Sequence, residues 1–178
     1  PDGPSVSGEK LKTLEEDDTS ETHQSARVWW VKQKQDNIEF AGMVEATDQS
    51  LGRIRAKLKE LGLEKNTIII FTADNGGMAA SNQYRGISHP REGLDKYFAS
   101  SNLPLRGAKG WNYEGGIRVP LIVRWPGKIS GGKISNQPTV NVDFYPTLLE
   151  AANVNPDKAQ KLDGVSILAN WTNPKATP

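Results

Sequence analysis

The stretch Thr67-Ile68-Ile69-Ile70-Phe71-Thr72-Ala73-Asp74-Asn75-Gly76-Gly77 decides the fold. Its first half is an apolar β-type run, and three consecutive isoleucines suit a strand covered on both faces, as in the parallel sheet of an α/β protein. The run ends abruptly in a carboxylate, an amide and two glycines. Asp74 and Asn75 are hard oxygen donors suited to Ca²⁺ or Mg²⁺, while Gly76 and Gly77 let the backbone turn sharply and leave room for an ion or anion. Open α/β sheets place their binding crevices just past the carboxyl ends of strands, so position and donor chemistry agree. Asp-Asn-Gly is also ordinary turn chemistry at a strand end, and alone the segment leaves both readings open.

Upstream, Phe40, Met43, Val44, Thr47, Leu51, Ile54, Leu58 and Leu61 recur at three- and four-residue steps. This spacing predicts a helix whose apolar stripe packs on the sheet as core, with Gly62 as its C-terminal cap. Downstream, Val119-Pro120-Leu121-Ile122-Val123 reads as a further core strand entered through a proline, and Trp125-Pro126-Gly127 ends it. Asp143 precedes the helical run 144–152 and is expected to cap it by accepting bonds from its first amides. Residues 1–26 are polar and charged, which suits a solvent-facing connector or short helix.

With 178 residues and 36% hydrophobic content, the chain falls in the single-domain range, and no internal repeat is visible. Its 22 basic and 21 acidic residues leave a formal charge of +1, so no overall field attracts nucleic acid or a membrane surface. The absence of cysteine excludes disulfides, thiolate metal sites and a Cys nucleophile within these residues. No apolar run reaches the roughly 18–20 residues that span a bilayer, and Pro1-Asp2-Gly3-Pro4 does not read as a signal peptide.

A second segment is more specific: Leu103-Pro104-Leu105-Arg106-Gly107-Ala108-Lys109-Gly110-Trp111-Asn112-Tyr113-Glu114-Gly115-Gly116-Ile117-Arg118-Val119-Pro120. Together with residues 67–77 before it and Arg124-Trp125-Pro126-Gly127 after it, this block resembles the second half of the catalytic domain of an arylsulfatase-type sulfatase, within the alkaline phosphatase superfamily. The resemblance runs from about Phe40 to Leu168 and takes in Phe40–Asp48 and Val142–Leu149. It implies an α/β fold, a fragment of an alkaline-phosphatase-like αβα sandwich with a largely parallel or mixed sheet. Residues 1–178 then divide into a polar connector (1–39), a family-like core (40–168) holding a lengthened loop (78–102), and a tail (169–178).

Carried over residue by residue, the resemblance makes Asp74 and Asn75 ligands of a divalent ion, Ca²⁺ or Mg²⁺, and makes Lys109 the catalytic lysine that contacts the sulfate. The implied substrate is a sulfate ester, on a sulfated sugar or an aryl group. Glu114 and Arg118 are expected to pair with backbone or with each other. Of the two histidines, His23 reads as solvated or structural, and His89 in the lengthened loop is at most a border of the substrate entrance, beside Tyr84, Arg85 and Arg91. Asn170-Trp171-Thr172 satisfies the glycosylation triplet and is read as unmodified.

The chain also departs from the family pattern. Sulfatases carry a Cys-x-Pro-Ser-Arg or Ser-x-Pro-Ser-Arg motif whose first residue becomes formylglycine; Pro4-Ser5-Val6-Ser7 lacks the arginine, so no nucleophile is assigned here. Asp17-Asp18 has no strand before it, unlike the family's N-terminal metal pair. The chain is therefore read as a fragment, inactive alone, with formylglycine expected in a missing N-terminal half and the missing sulfatase segments as partners. Exposed sheet edges in such a fragment favour self-association. The resemblance further suggests a bacterial, periplasmic or secreted enzyme. Two alternatives remain: a phosphate or phosphonate ester hydrolase of the same superfamily, and a noncatalytic chain that binds a partner.

Overall fold

A computed structural model describes residues 11–15, 28–79, 98–155 and 161–173. Ser5, Asp17, Asp18, His23, Tyr84, Arg85, His89 and Arg91 lie outside them. The described elements run β1 (Leu11–Glu15), β2 (Val28–Lys32), α1 (Ile38–Glu60), β3 (Ile69–Thr72), α2 (Glu114–Ile117), β4 (Leu121–Arg124), α3 (Phe144–Ala151) and α4 (Leu168–Thr172). No described helix is long and apolar enough to cross a membrane. The chain divides into two compact units, residues 1–54 with 72–121 and residues 55–71 with 122–178.

In the first unit, β1 and β2 pair antiparallel, from Leu11 opposite Lys32 to Glu15 opposite Val28. The polar-connector reading anticipates no strand here, although Val28-Trp29-Trp30-Val31 has the β-branched and aromatic content that strands favour. At the end of β2, Val31 is buried with Ala79 and Ala108 in one cluster. The Lys32 amide donates to the Ala79 carbonyl at 2.8 Å, and the Lys32 side chain, 2% exposed, pairs with Asp36 at 2.6 Å. A buried ammonium needs such a partner to offset its lost hydration.

Helix α1 starts two residues earlier than its apolar periodicity suggests, because Asn37 caps it: Asn37 Oδ1 accepts from the Phe40 amide at 2.9 Å, and Asn37 Nδ2 donates to the Phe98 carbonyl at 3.1 Å. Its end follows expectation. Gly62 has φ +70°, with Leu63 N donating to Leu58 O at 2.9 Å and Gly62 N to Lys59 O at 3.1 Å, the paired bonds of a Schellman turn. The expected packing on a sheet is not found, since α1 buries none of its residues. Met43 and Ile54 are 59% and 54% exposed. Periodicity specifies which face of a helix is apolar; it does not supply the surface that covers it.

Strands β3 and β4, of which all but Thr72 and Leu121 belong to the second unit, pair in a two-stranded sheet, and in that unit the Arg124 guanidinium is ion-paired with Glu64. The expectation of a strand covered on both faces fails here too: no residue of β3 is buried, and Phe71 is 37% exposed. A sheet of two strands has too little surface to enclose its own apolar residues. Asp143 is also corrected. Its carboxylate does not cap α3 but accepts from Val140 N at 3.1 Å and from Val165 N at 3.0 Å. The fully buried Thr147 continues this tie, donating to Asp143 O at 2.6 Å and accepting from Ile167 N at 3.0 Å. Asn170, in the glycosylation triplet, is 3% exposed.

Candidate functional site

The candidate residues all fall in the first unit, on two loops. The first leaves β3: Asp74 and Asn75 form a bend immediately past the strand, with Asp74 exposed and Gly76 buried. Asn75 Nδ2 donates to the Gly76 carbonyl at 3.0 Å, so the amide nitrogen is engaged within its own loop and Oδ1 is the atom left to face a cation. The donor chemistry therefore fits a divalent ion: a carboxylate and an amide oxygen on adjacent residues. It fits as part of a set, because no three His, Cys, Asp or Glu side chains gather as a metal cluster among the described residues.

The second loop is the lysine turn. Ala108-Lys109-Gly110-Trp111 closes through Trp111 N to Ala108 O at 3.0 Å, and Gly110 has φ +89° at the third position, where a type II turn needs a residue tolerant of positive φ. Lys109 is therefore the second residue of a tight turn, half-buried between its neighbours. Trp111, the last residue of the turn, is buried and edge-on to Tyr113 at 6.2 Å between ring centres. Arg106 stacks its guanidinium over the Tyr113 ring at 3.9 Å. Glu114 and Arg118 pair with each other at 3.6 Å across α2, both largely exposed, which matches the expected structural role.

Backbone bonds stitch the two loops together. Lys109 N donates to Gly77 O at 3.0 Å and Gly76 N to Gly116 O at 2.8 Å, while the bond from Gly115 N to Arg106 O at 2.7 Å closes the second loop on itself. Such close approach explains the glycines better than conformational freedom does. A Cβ on Gly76 would stand 1.8 Å from Gly115 O, and one on Gly115 would stand 2.1 Å from Gly107 O. The backbone of Lys109 is thus brought against the loop that carries Asp74 and Asn75, thirty-odd positions away in sequence. His89 lies outside the described residues.

Sequence reasoning missed Asn102, at the end of the lengthened loop. Its Nδ2 reaches Gly115 O at 2.9 Å, Gly77 O at 3.0 Å and Gly107 O at 3.3 Å. The only local hint is its place next to the Leu103-Pro104-Leu105-Arg106 block.

Comparison with known proteins adds to this geometry. A profile of the family described as Sulfatase matches residues 9–154. Over 129 residues the chain is 35% identical to the steryl-sulfatase of Mus musculus, covering 72% of this chain and 19% of that protein. It is 36% identical over 129 residues to the N-acetylgalactosamine-6-sulfatase of Rattus norvegicus, covering 72% and 22%. Among solved structures, a crystal structure of Ps i-CgsB in complex with k-i-k-neocarrahexaose aligns with a TM-score of 0.64 and 30% identity, over 80% of this chain and 28% of that one. The chain spans about a fifth of the length of these two relatives.

Proposed function

Because the chain belongs to the sulfatase family, we propose that it is the metal-loop and lysine-turn portion of a sulfuric ester hydrolase. The observation that carries this reading is the bond from Lys109 N to Gly77 O, which ties the lysine turn to the loop of Asp74 and Asn75. Asp74 and Asn75 present two adjacent oxygens to a divalent ion from one side. Bound there, Ca²⁺ or Mg²⁺ would neutralise charge on the nonbridging sulfate oxygens. Lys109 supplies a compact ammonium to the sulfate or the leaving oxygen, stabilising charge that develops as the ester bond breaks. The nucleophile is no residue of this chain; a formylglycine elsewhere in the protein completes the reading. A sulfated sugar is the favoured substrate class, since one relative is named for a sulfated amino sugar and a structural neighbour holds an oligosaccharide.

Turnover of a chromogenic aryl sulfate by the full-length protein tests this. It should fall about 100-fold in Lys109→Ala and be lost on chelation, while the 178-residue chain alone should be inactive. Turnover by the chain alone, above its own Lys109→Ala control, would overturn the reading.

A second reading rests on α1. Its exposed apolar stripe favours a chain that docks the complementary segments of a sulfatase domain, and that self-associates without them. Sedimentation with and without those segments separates the two states; a stable monomer in both conditions would end this reading.

A further inference from the structure

We propose that Asn102 is a positioning residue for the lysine turn: its side-chain amide sets where Lys109 stands relative to Asp74 and Asn75. The proposal rests on the reading of the site given above. Asn102 Nδ2 faces three carbonyls, those of Gly115, Gly77 and Gly107, at 2.9, 3.0 and 3.3 Å. An amide nitrogen has two N–H bonds, so the longest contact is the shared one. The orientation of the amide is fixed as well, because a flipped Oδ1 would face three carbonyl oxygens with nothing to donate.

Each carbonyl belongs to a different limb of the site. Gly77 lies in the loop of the metal ligands, Gly107 enters the lysine turn, and Gly115 lies in the first turn of α2. The Gly77 carbonyl also accepts from Lys109 N and from Ala79 N, each at 3.0 Å. One oxygen is therefore the meeting point of the two loops and of the segment that returns to β2, and Asn102 holds it. The residue is itself confined: its backbone carbonyl accepts from Leu105 N at 2.9 Å, and its side chain lies so close to Gly77 that a Cβ there would come within 2.7 Å of Asn102 Oδ1. Asn102 carries no charge; it acts through the backbone that carries Lys109.

The residue type follows from the geometry. Aspartate has the same shape but turns a double donor into an anionic acceptor facing three carbonyl oxygens. Serine offers one donor on a shorter arm, and alanine none.

The test uses the full-length protein, a chromogenic aryl sulfate, and the variants Asn102→Ala, Lys109→Ala and their combination. Asn102→Ala should lower kcat by about 100-fold, the loss expected when a reacting group is displaced by about 1 Å. In the Lys109→Ala background it should cost less than about threefold, since the group it positions is already gone. Amide exchange at Lys109 N should quicken in Asn102→Ala while the amides of α3 keep their protection. If Asn102→Ala does not fold, Asn102→Ser is read against the same criteria. Equal losses in both backgrounds, or unchanged exchange at Lys109 N, overturn the proposal. If Lys109→Ala leaves turnover intact, the sulfatase reading of the site fails, and the exchange at Lys109 N then decides for or against the clamp alone.

Discussion

The junction of the two loops and helix α1 solve opposite problems. At the junction, residues 74–79 and 102–118 meet through backbone, with Gly76, Gly115 and Gly116 buried and almost every close contact made to a carbonyl. Helix α1 is regular, capped at both ends and rich in apolar side chains, yet it buries none of its residues. The junction is complete within this chain, whereas the helix has a finished backbone and an unfinished surface. Where a segment closes on itself, its stability is a matter of sterics and hydrogen bonds. Where it ends in an apolar face, its stability depends on what lies beyond.

The sharpest way to break the comparison is to add one carbon to the junction. Gly115→Ala puts a Cβ 2.1 Å from Gly107 O and 2.6 Å from Arg106 O, both backbone atoms that cannot swing aside. The expected loss is more than about 3 kcal/mol, beyond ordinary overpacking because no side chain can yield. Urea unfolding of the variant checks this; a midpoint within error of the parent would mean that residues 102–118 do not close on themselves as described.

The next effect belongs to the helix and depends on its surroundings. In the 178-residue chain Ile54 is 54% exposed, so Ile54→Ala should cost less than about 1 kcal/mol. In the full-length protein the same change should cost about 2–4 kcal/mol if the stripe is then covered. Unfolding curves of both proteins give the difference directly. Equal small losses would show that the face stays open to water in both. Asn37→Ala sits below these, at about 1–2 kcal/mol, for the lost cap on the Phe40 amide and the lost bond to the Phe98 carbonyl. Because both partners lie within the 178 residues, that loss should be similar in the short and the long protein.

The same contrast explains what was legible in the sequence. Strand β3, the bend at Asp74 and Asn75, the Gly62 cap and the lysine turn could all be read, because each rests on residues within one turn of one another. The bond between Lys109 and Gly77 is not local, and only the order of the two motifs pointed to it. Asn102 was missed because an asparagine beside a proline-containing loop looks like any turn residue; its three acceptors lie up to 25 positions away. Asp143 was misread for a related reason. Local rules give a carboxylate before a helix the capping role, but its Oδ1 instead reaches Val165, 22 positions on. The β1–β2 pair was hidden by the charged residues between two short strands, although the Val28–Val31 run carried the signal.

The smallest predicted effect is the most discriminating, because its sign can change. Gly42 and Gly52 sit inside α1 with nothing within 4 Å of where a Cβ would stand, whereas the junction glycines have carbonyls at contact. In the 178-residue chain, Gly42→Ala should therefore stabilise by about 0.5–1 kcal/mol, through reduced backbone entropy in the unfolded state and better helix propensity. A glycine that persists in an exposed helix at that cost suggests a use elsewhere, and the physical use of a missing Cβ is close approach by another element. In the full-length protein the same substitution should then be neutral or destabilising if a neighbouring element crosses α1 at residue 42. Thermal unfolding of the pair measures the sign in each protein. Stabilisation in both would place the covering surface away from Gly42 and leave the stripe at Met43, Val44 and Ile54 as the face to be probed.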